Sequence, residues 1–415
     1  MTEEKEQTSK VEYTLETKTE LRFEVEQGAF VQLEVISGKA EIFGTELTKN
    51  KKYNFASGSK LRHLSGKTEV AYIAKETPMV LYVNTHAALE QMRKKAEMEE
   101  TRGPRVMVVG PPDVGKSTLC RFLINCATRL GRSPVLVDLD VGQSEISIPG
   151  TVGALIVERP ADIEEGYALT APLLYHFGHK TPADNWPLYN LLITRLAEMI
   201  NMRCNSNSRT NVSGIVINTC GWLRGGIYQS IVHAAGAFEV DVIIVLDQER
   251  LHSELKRDMP EFVKVVLQPK SGGVVERNQK TRAEVRDAKI REYFYGLHNT
   301  LYPHTFEVKF SEVQIFKIGR PILPQQMLPM DTVAQSDRTK LVPVLPSTSL
   351  VHHVLSVSMA LQADDDIVHA NVAGFIVITA IDQDKKSFTV LSPSPRPLPR
   401  SILLVMENIQ FMDIE

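Results

Sequence analysis

A chain of 415 residues with 43% hydrophobic side chains is too long for one ordinary core and too apolar for disorder, so two or three domains are expected. Lys and Arg number 47 against 50 Asp and Glu, a formal net charge of -3, which excludes a global basic field and leaves nucleic-acid binding to a local patch. The polar opening MTEEKEQTSK and the lack of any run of eighteen apolar residues exclude a secretory leader and a spanning helix, so an intracellular protein is expected. Cys120, Cys126, Cys204 and Cys220 show no CxxC spacing and read as free thiols in a reducing compartment, without a catalytic part.

In chain order, residues 11 to 84 read as short alternating strands broken by turns: LRFEVEQGAFVQLEVISGKAEIFGTEL, KKYNFASGSK, TEVAYIAK and MVLYVNT, an all-β module. HAALEQMRKKAEMEETRGPR follows as a charged helical connector ended by Gly103-Pro104. From Arg105 to about Gly296, apolar strands (RVMVV, PVLVDLD, GIVINTC, DVIIVLD, VKVVLQP) alternate with helical stretches, the pattern of a parallel sheet covered on both faces. Ligands of such sheets bind at the carboxyl ends of the strands. The remainder returns to β patterning, with AGFIVITAIDQDKKSFTVLSP as a hairpin and proline-rich SPSPRPLPR before a final strand; no internal repeat is seen.

Gly110, Gly115, Lys116 and Ser117 match GxxxxGK[ST], a pattern that average residue usage produces on the order of once in twenty thousand positions. The match follows a predicted strand and opens a predicted helix, as the mechanism requires: successive backbone N–H groups and a helix N-terminus are aimed at phosphates. Pro111 and Pro112 have no N–H, so the donors must come from Asp113, Val114, Gly115, Lys116, Ser117 and Thr118. Lys116 would neutralise β/γ oxygens and Ser117 would ligate Mg²⁺.

PVLVDLD ends in two carboxylates at the edge where metal and nucleophile belong. Asp140, just before the Val141-Gly142-Gln143 loop, is the candidate to help hold Mg²⁺ or accept a proton, with Asp138 in reserve; the alternative is Asp140 as a helix N-cap. DVIIVLDQER offers Asp247-Gln248-Glu249-Arg250 where a guanine reader would need Asn-Lys-x-Asp, so GTP is not expected as the obligate nucleotide. GIVINTC runs into Gly221-Trp222 at the ligand end of the sheet, where an indole either stacks a nucleobase or sits in a core. SGGVVERNQKTRAEVRDAKIREYFYG opens with a glycine pair and carries Arg277, Arg282, Arg286 and Arg291 on a helical pattern. Such an element would serve as a lid neutralising charge on a transferring phosphate, or else as a solvated face patterned with Glu284 and Asp287.

With the P-loop, LDVGQ, INTCGW, VLDQERL and PKSGGVVER in this order, the sequence closely resembles the eukaryotic polyribonucleotide 5′-hydroxyl kinases of the pre-mRNA cleavage and polyadenylation machinery. FGTEL, ETPMVLYVNTHAALEQ and LSPSPRPLP extend the resemblance over essentially the whole chain. It implies an α/β protein with a central P-loop kinase domain, its sheet mostly parallel and its lid rich in arginine, over residues 100–300. An N-terminal β-sandwich-like domain with a connector helix would occupy 1–99, and a C-terminal β-rich (α+β) domain 301–415. It also implies transfer of the ATP γ-phosphate to the 5′-hydroxyl of RNA. Lys116 and Ser117 would bind phosphates and Mg²⁺, Asp140 would orient or deprotonate the 5′-hydroxyl and share the metal, and Trp222 would stack on the terminal base, with Gln143 and Arg224 beside the substrate. Arg277, Arg282 and Arg286 match the lid arginines, while Glu20, Phe43 and Lys60 match residues that clasp the adenine. Nuclear residence, membership of the mRNA 3′-end complex and a second assembly with the tRNA-splicing endonuclease are implied as well. The chain departs from the family pattern by being shorter between Lys60 and Leu64, and by Leu223-Arg224-Gly225-Gly226 where a Lys and a Gly-Ser-Gly run are usual; Arg224 keeps the charge. Two other readings compete: a scaffold that binds ATP without turnover, and a DNA-repair kinase.

Overall fold

The computed structural model describes residues 10–25, 30–56, 68–221, 226–297, 299–319 and 338–412. Lys60, Trp222 and Arg224 lie outside the described residues. The N-terminal module contains β1 (Glu20–Val25), β2 (Phe30–Glu34), β3 (Glu41–Ile42), β4 (Thr45–Glu46), β5 (Lys52–Ala56) and β6 (Thr68–Ala74), paired antiparallel as β1 with β6, β2 with β5 and β3 with β4. Its small core gathers Leu47, Tyr53 and Phe55, and is completed by Ile163 from the central domain.

MVLYVNT, expected as a strand, instead begins α1 (Met79–Met98), directly after Pro78. Tyr82, Leu89, Arg93 and Ala96 recur at helical spacing and are buried, whereas the β-branched Val80 and Val83 face outward, 48% exposed each. Tertiary burial of one helical stripe has overridden local β propensity. Arg93, 1% exposed, is neutralised by Glu90 and donates through Nε to the Ser213 carbonyl at 2.8 Å.

The central sheet is built from β7 (Arg105–Val109), β8 (Val135–Asp138), β9 (Thr151–Ile156), β10 (Leu173–His176), β11 (Ile215–Asn218), β12 (Val242–Leu246) and β13 (Lys264–Gln268) in the order β10-β9-β8-β11-β7-β12-β13. The strands expected from the sequence, β7, β8, β11, β12 and β13, pair in parallel. β9 and β10 extend the sheet antiparallel beyond β8 and were not legible beforehand. α2 (Lys116–Arg129), α3 (Trp186–Ser206), α4 (Ser208–Ser213), α5 (Ile227–Ala237) and α6 (Glu249–Asp258) lie between the strands, and α7 (Gln279–Tyr295) follows β13. Two apolar clusters, one carrying Ile217, Leu192 and Ile231 and the other Val108, Leu119 and Ile244, are the layers expected on the two faces of a parallel sheet.

The C-terminal sheet comprises β14 (His304–Lys309), β15 (Gln314–Ile318), β16 (Leu341–Pro343), β17 (His353–Ser358), β18 (Val372–Asp382), β19 (Ser387–Ser392) and β20 (Ile402–Gln410), ordered β14-β19-β18-β17-β20-β15-β16. β18 and β19 form the expected hairpin, its turn closed by Asp382 Oδ1 accepting from the N–H groups of Asp384 and Lys385. The fold is thus mixed α/β, a largely parallel central sheet flanked by two β-rich modules. Among the described residues there is no disulfide and no helix long and apolar enough to cross a membrane.

The C-terminal sheet braces the central domain on both sides. The far end of α7 buries Ile290 and Phe294, Phe294 stacking on Phe411 at 5.8 Å, while the Tyr293 hydroxyl accepts from Phe375 N at 3.0 Å. On the other side, His176 of β10 meets the Ser356 hydroxyl of β17 at 2.6 Å, both fully enclosed. Burial, reinforced by His179, drives the His176 pKa down to about 3. The unfolded chain takes up this proton near pH 6.5, the folded one only near 3, so the fold loses stability as pH falls through that window. Urea unfolding is expected to show about 2 kcal/mol less pH-dependent loss between pH 7 and 5 in His176→Gln than in the wild type. Identical losses in both proteins would contradict this burial.

Candidate phosphate-transfer site

The loop between β7 and α2 has the geometry that phosphates require. Gly115 sits at φ 88° and turns the chain into α2, a left-handed conformation that suits glycine. The N–H groups of Lys116, Ser117 and Thr118 open the helix and have no carbonyl one turn back to bond. Lys116 is 7% exposed, and its ammonium donates to the carbonyls of Gly110 at 3.0 Å and Pro111 at 2.6 Å. Burial lowers its pKa, with Asp140 the leading charge acting against that. β11 delivers the neighbouring segment: Gly221 lies so close to the loop that a Cβ there would come within 2.7 Å of Pro112 Cα.

Asp138 and Asp140 divide the work at the end of β8. Asp138, 1% exposed, accepts from Asn218 Nδ2 at 3.0 Å, Asp140 N at 3.1 Å and Glu145 N at 2.6 Å, so it is a buried buttress for the following loop. Asp140 is half-buried; its Oδ1 accepts from Gly142 N at 3.0 Å and Gln143 N at 3.1 Å, and no helix begins there, which disposes of the N-cap alternative. Glu145 in turn holds Arg121 of α2 at 2.9 Å, and that guanidinium lies over the Tyr167 ring at 5.8 Å. This buried pair, which ties the Asp140 loop to α2, was not anticipated from the sequence.

The segment from β13 to α7 folds back over the loop. Val274 packs on Gly115, 3.4 Å from the position a Cβ would take. The Asp113 carboxylate accepts from Arg277 N at 3.0 Å and forms a short ion pair with Arg282, whose Nε donates to the Arg277 carbonyl at 3.1 Å. Asn278 caps α7 by accepting from Thr281 N at 2.8 Å. Burial pulls the Arg277 and Arg286 pKa values down; Asp113 opposes this at Arg277, and Asp287, then Asp140, at Arg286. Arg277 and Arg282 are thus gathered at Asp113, and Arg286 lies within electrostatic reach of Asp140. Arg291 stacks instead on Tyr295, 4.7 Å away on its own helix. Lys180, missed by sequence reasoning, joins the rim: its carbonyl is 3.1 Å from where a Gly142 Cβ would stand, and its pKa is lowered by burial and then by Arg286.

Glu20 is paired with Arg22 at 2.8 Å and accepts from the Thr77 hydroxyl, and Arg22 lies against the lid glycines Gly272 and Gly273. Glu20 is thereby brought to the lid. Phe43 lies by the second half of α2: its carbonyl accepts from Asn125 Nδ2 at 2.9 Å, about 13.5 Å along the helix from Lys116 at 1.5 Å per residue. Asp247, from the stretch tested for guanine reading, pairs with Lys270 at 3.2 Å.

A strand, a glycine-lysine turn, a helix and an arginine lid on a largely parallel sheet define a P-loop nucleotide-binding protein. Residues 14–96, 110–296 and 301–413 match, in turn, the families described as N-terminal beta-sandwich domain of polyadenylation factor, mRNA cleavage and polyadenylation factor CLP1 P-loop, and Pre-mRNA cleavage complex II protein Clp1. The chain belongs to the Clp1 family. It is 59% identical to the polyribonucleotide 5'-hydroxyl-kinase Clp1 of Gallus gallus and 58% to that of Homo sapiens, in each case over 100% of this chain and 99% of the relative. The Danio rerio protein of the same name is 57% identical over 97% of this chain and 94% of its own. The fold is shared with Clp1p solved in complexes with Pcf11p. One such structure has a TM-score of 0.78 at 23% identity, covering 95% of this chain and 97% of the other; a second has 0.77 at 22%, covering 97% and 100%.

Because the buried Asp138 carboxylate accepts from Asn218, Asp140 and Glu145 while the half-buried Asp140 accepts from Gly142 and Gln143 of its own turn, Asp138→Ala is expected to cost about 3 kcal/mol in urea unfolding and Asp140→Ala about 1 kcal/mol. Equal costs would remove Asp138 from its buttressing role.

Proposed function

We propose that this protein is an ATP-dependent polynucleotide kinase that transfers the γ-phosphate to the 5′-hydroxyl of RNA. The observation that carries the reading is the convergence of Lys116, Arg277, Arg282 and Arg286 around a phosphate-type loop, with the Asp140 carboxylate beside them. Hydrolysis requires only water at that carboxylate. The family's recurring name, polyribonucleotide 5'-hydroxyl-kinase, supports RNA as the acceptor.

Backbone donors from Asp113 to Thr118 cradle the β- and γ-phosphates, with Gly110 setting the start of the loop and Val114 within it. The Lys116 ammonium neutralises their oxygens. The Ser117 hydroxyl and Asp140 carboxylate are oxygen donors of the type that fits Mg²⁺, which when bound offsets charge on the β- and γ-oxygens. Asp140 orients the 5′-hydroxyl and takes its proton as the O5′–P bond forms and the bond from phosphorus to the β,γ-bridging oxygen breaks; ADP leaves, and the proton passes from the carboxylate to water. Arg277, Arg282 and Arg286 stabilise the charge spread over the transferring group. Trp222 stacks the terminal base, Gln143 and Arg224 hold the strand, and Glu20, Phe43 and Lys60 clasp the adenine, as the family resemblance implies.

We further propose a nuclear protein that works in mRNA 3′-end formation as a subunit of the pre-mRNA cleavage machinery, and in tRNA splicing beside the endonuclease. The family description as a pre-mRNA cleavage complex II protein and the pairing of Clp1p with Pcf11p support the first of these assemblies.

The test is transfer of label from γ-labelled ATP, with Mg²⁺, to a short 5′-hydroxyl RNA and to its DNA counterpart. Label is expected on the RNA end, reduced at least 100-fold by Lys116→Ala and at least tenfold by Trp222→Ala. ATP that stays bound with no label transferred would instead establish a nucleotide-stabilised scaffold, and equal labelling of DNA would remove the RNA preference.

A further inference from the structure

The arginine lid is held over the P-loop by a side chain of the P-loop itself. Asp113 occupies a left-handed conformation, φ 54°, which asparagine and aspartate tolerate better than most residues. That conformation accompanies a side chain aimed at the lid. The same carboxylate oxygen, Oδ2, accepts from the main-chain N–H of Arg277 and from the Arg282 guanidinium. Arg282 Nε closes the triangle on the Arg277 carbonyl at 3.1 Å. The side chains of Asp113 and Arg282 are 14% and 28% exposed, so the pair is shielded from solvent well beyond an ordinary surface ion pair.

We propose that Asp113 is a positioning residue for phosphoryl transfer, the latch that registers the arginine lid over the phosphate loop. The inference rests on the kinase reading for its catalytic consequence, but the latch is a physical contact independent of turnover. Its geometry leaves work for the arginines. Arg282 uses Nε and Nη2 in the triangle, and its Nη1 amino group takes no part in either bond. Arg277 is bound through its main chain, so its guanidinium is not consumed by the contact with Asp113 Oδ2. Releasing Asp113 would therefore free the segment that carries both arginines and the Val274 side chain packed on Gly115. Further contacts hold the ends of this stretch: Arg22 beside Gly272 and Gly273, and the C-terminal sheet against Phe294. Within the stretch from Val274 to Arg282, Asp113 supplies the ion pair to the P-loop.

Asp113→Asn tests this without leaving the left-handed region: the amide oxygen still accepts from Arg277 N, but the charge that holds Arg282 is gone. Arg282→Gln removes the partner, and Arg282→Lys keeps the charge without the planar fork. Full-length protein is compared by release of a fluorescent N-methylanthraniloyl ATP after mixing with excess ATP, and by kcat and KM for 5′-hydroxyl RNA. Asp113→Asn and Arg282→Gln are each expected to speed nucleotide release about tenfold and to lower kcat about tenfold with KM for RNA within twofold. The double variant should be no worse than either single one, and Arg282→Lys should fall between. Additive losses, or an Asp113→Asn protein that releases nucleotide at the wild-type rate, would overturn the latch. If Asp113→Asn fails to fold, the order Arg282→Gln, Arg282→Lys, wild type in release rate decides the matter, an unchanged rate in both refuting it. Nucleotide release is read even where no RNA is phosphorylated, so failure of the kinase reading is distinguishable from failure of the latch.

Discussion

Like charge concentrated in a half-buried place is the constraint on which the site depends. Lys116, Arg277 and Arg286 all have their pKa values lowered by burial, and Arg282 further lowers those of Arg277 and Arg286. Asp113 opposes this at Arg277 and Asp140 at Lys116, while Asp287 and then Asp140 oppose it at Arg286. Such a cluster is unfavourable alone and becomes favourable around a polyphosphate, whose charge repels itself as strongly. The carboxylates have separate duties: Asp113 faces the lid, and Asp140 holds the turn after β8.

The three modules serve that cluster. β7 and α2 create the loop and its orphan N–H groups. β8 ends at Asp138, whose buried carboxylate sets the path of the Asp140 loop, and the Glu145–Arg121 pair fastens the same loop to α2. The N-terminal module presses Arg22 on the lid glycines, and α1 contacts the start of the lid where the Tyr82 hydroxyl donates to the Pro269 carbonyl at 3.1 Å. The C-terminal sheet clamps the far end of α7 around Phe294. The lid is therefore a bridge between modules rather than a free flap, which makes its register over the P-loop a property of the whole chain.

What was legible in the sequence was local. A strand, a turn with fixed glycines and a helix encode themselves within some twenty residues, and the apolar runs of β7, β8, β11, β12 and β13 announce fully buried parallel strands. β9 and β10 escaped because their short runs lack alternation and are separated by an excursion that packs Ile163 into the N-terminal module. MVLYVNT misled because valine and tyrosine favour strands, whereas the burial of Tyr82 and Leu89 against the central domain selected a helix. The helical pattern singled out Arg277, Arg282 and Arg286, but the partner of Arg282 lies 169 residues away in the P-loop, and no local pattern encodes that contact. The same holds for Lys180 and Arg286, which only the folded chain brings to one rim.

In the proposed reaction this charge cluster transfers a phosphate rather than storing a nucleotide. The most direct measurement is a single turnover: protein loaded with one equivalent of ATP is mixed with excess 5′-hydroxyl RNA, and bound ATP, ADP and the RNA end group are quantified together by mass spectrometry. One ADP is expected for each RNA end phosphorylated, and intact ATP when the RNA already carries a 5′-phosphate. ATP that remains intact with the 5′-hydroxyl RNA, or is hydrolysed at the same rate with either RNA, would contradict it.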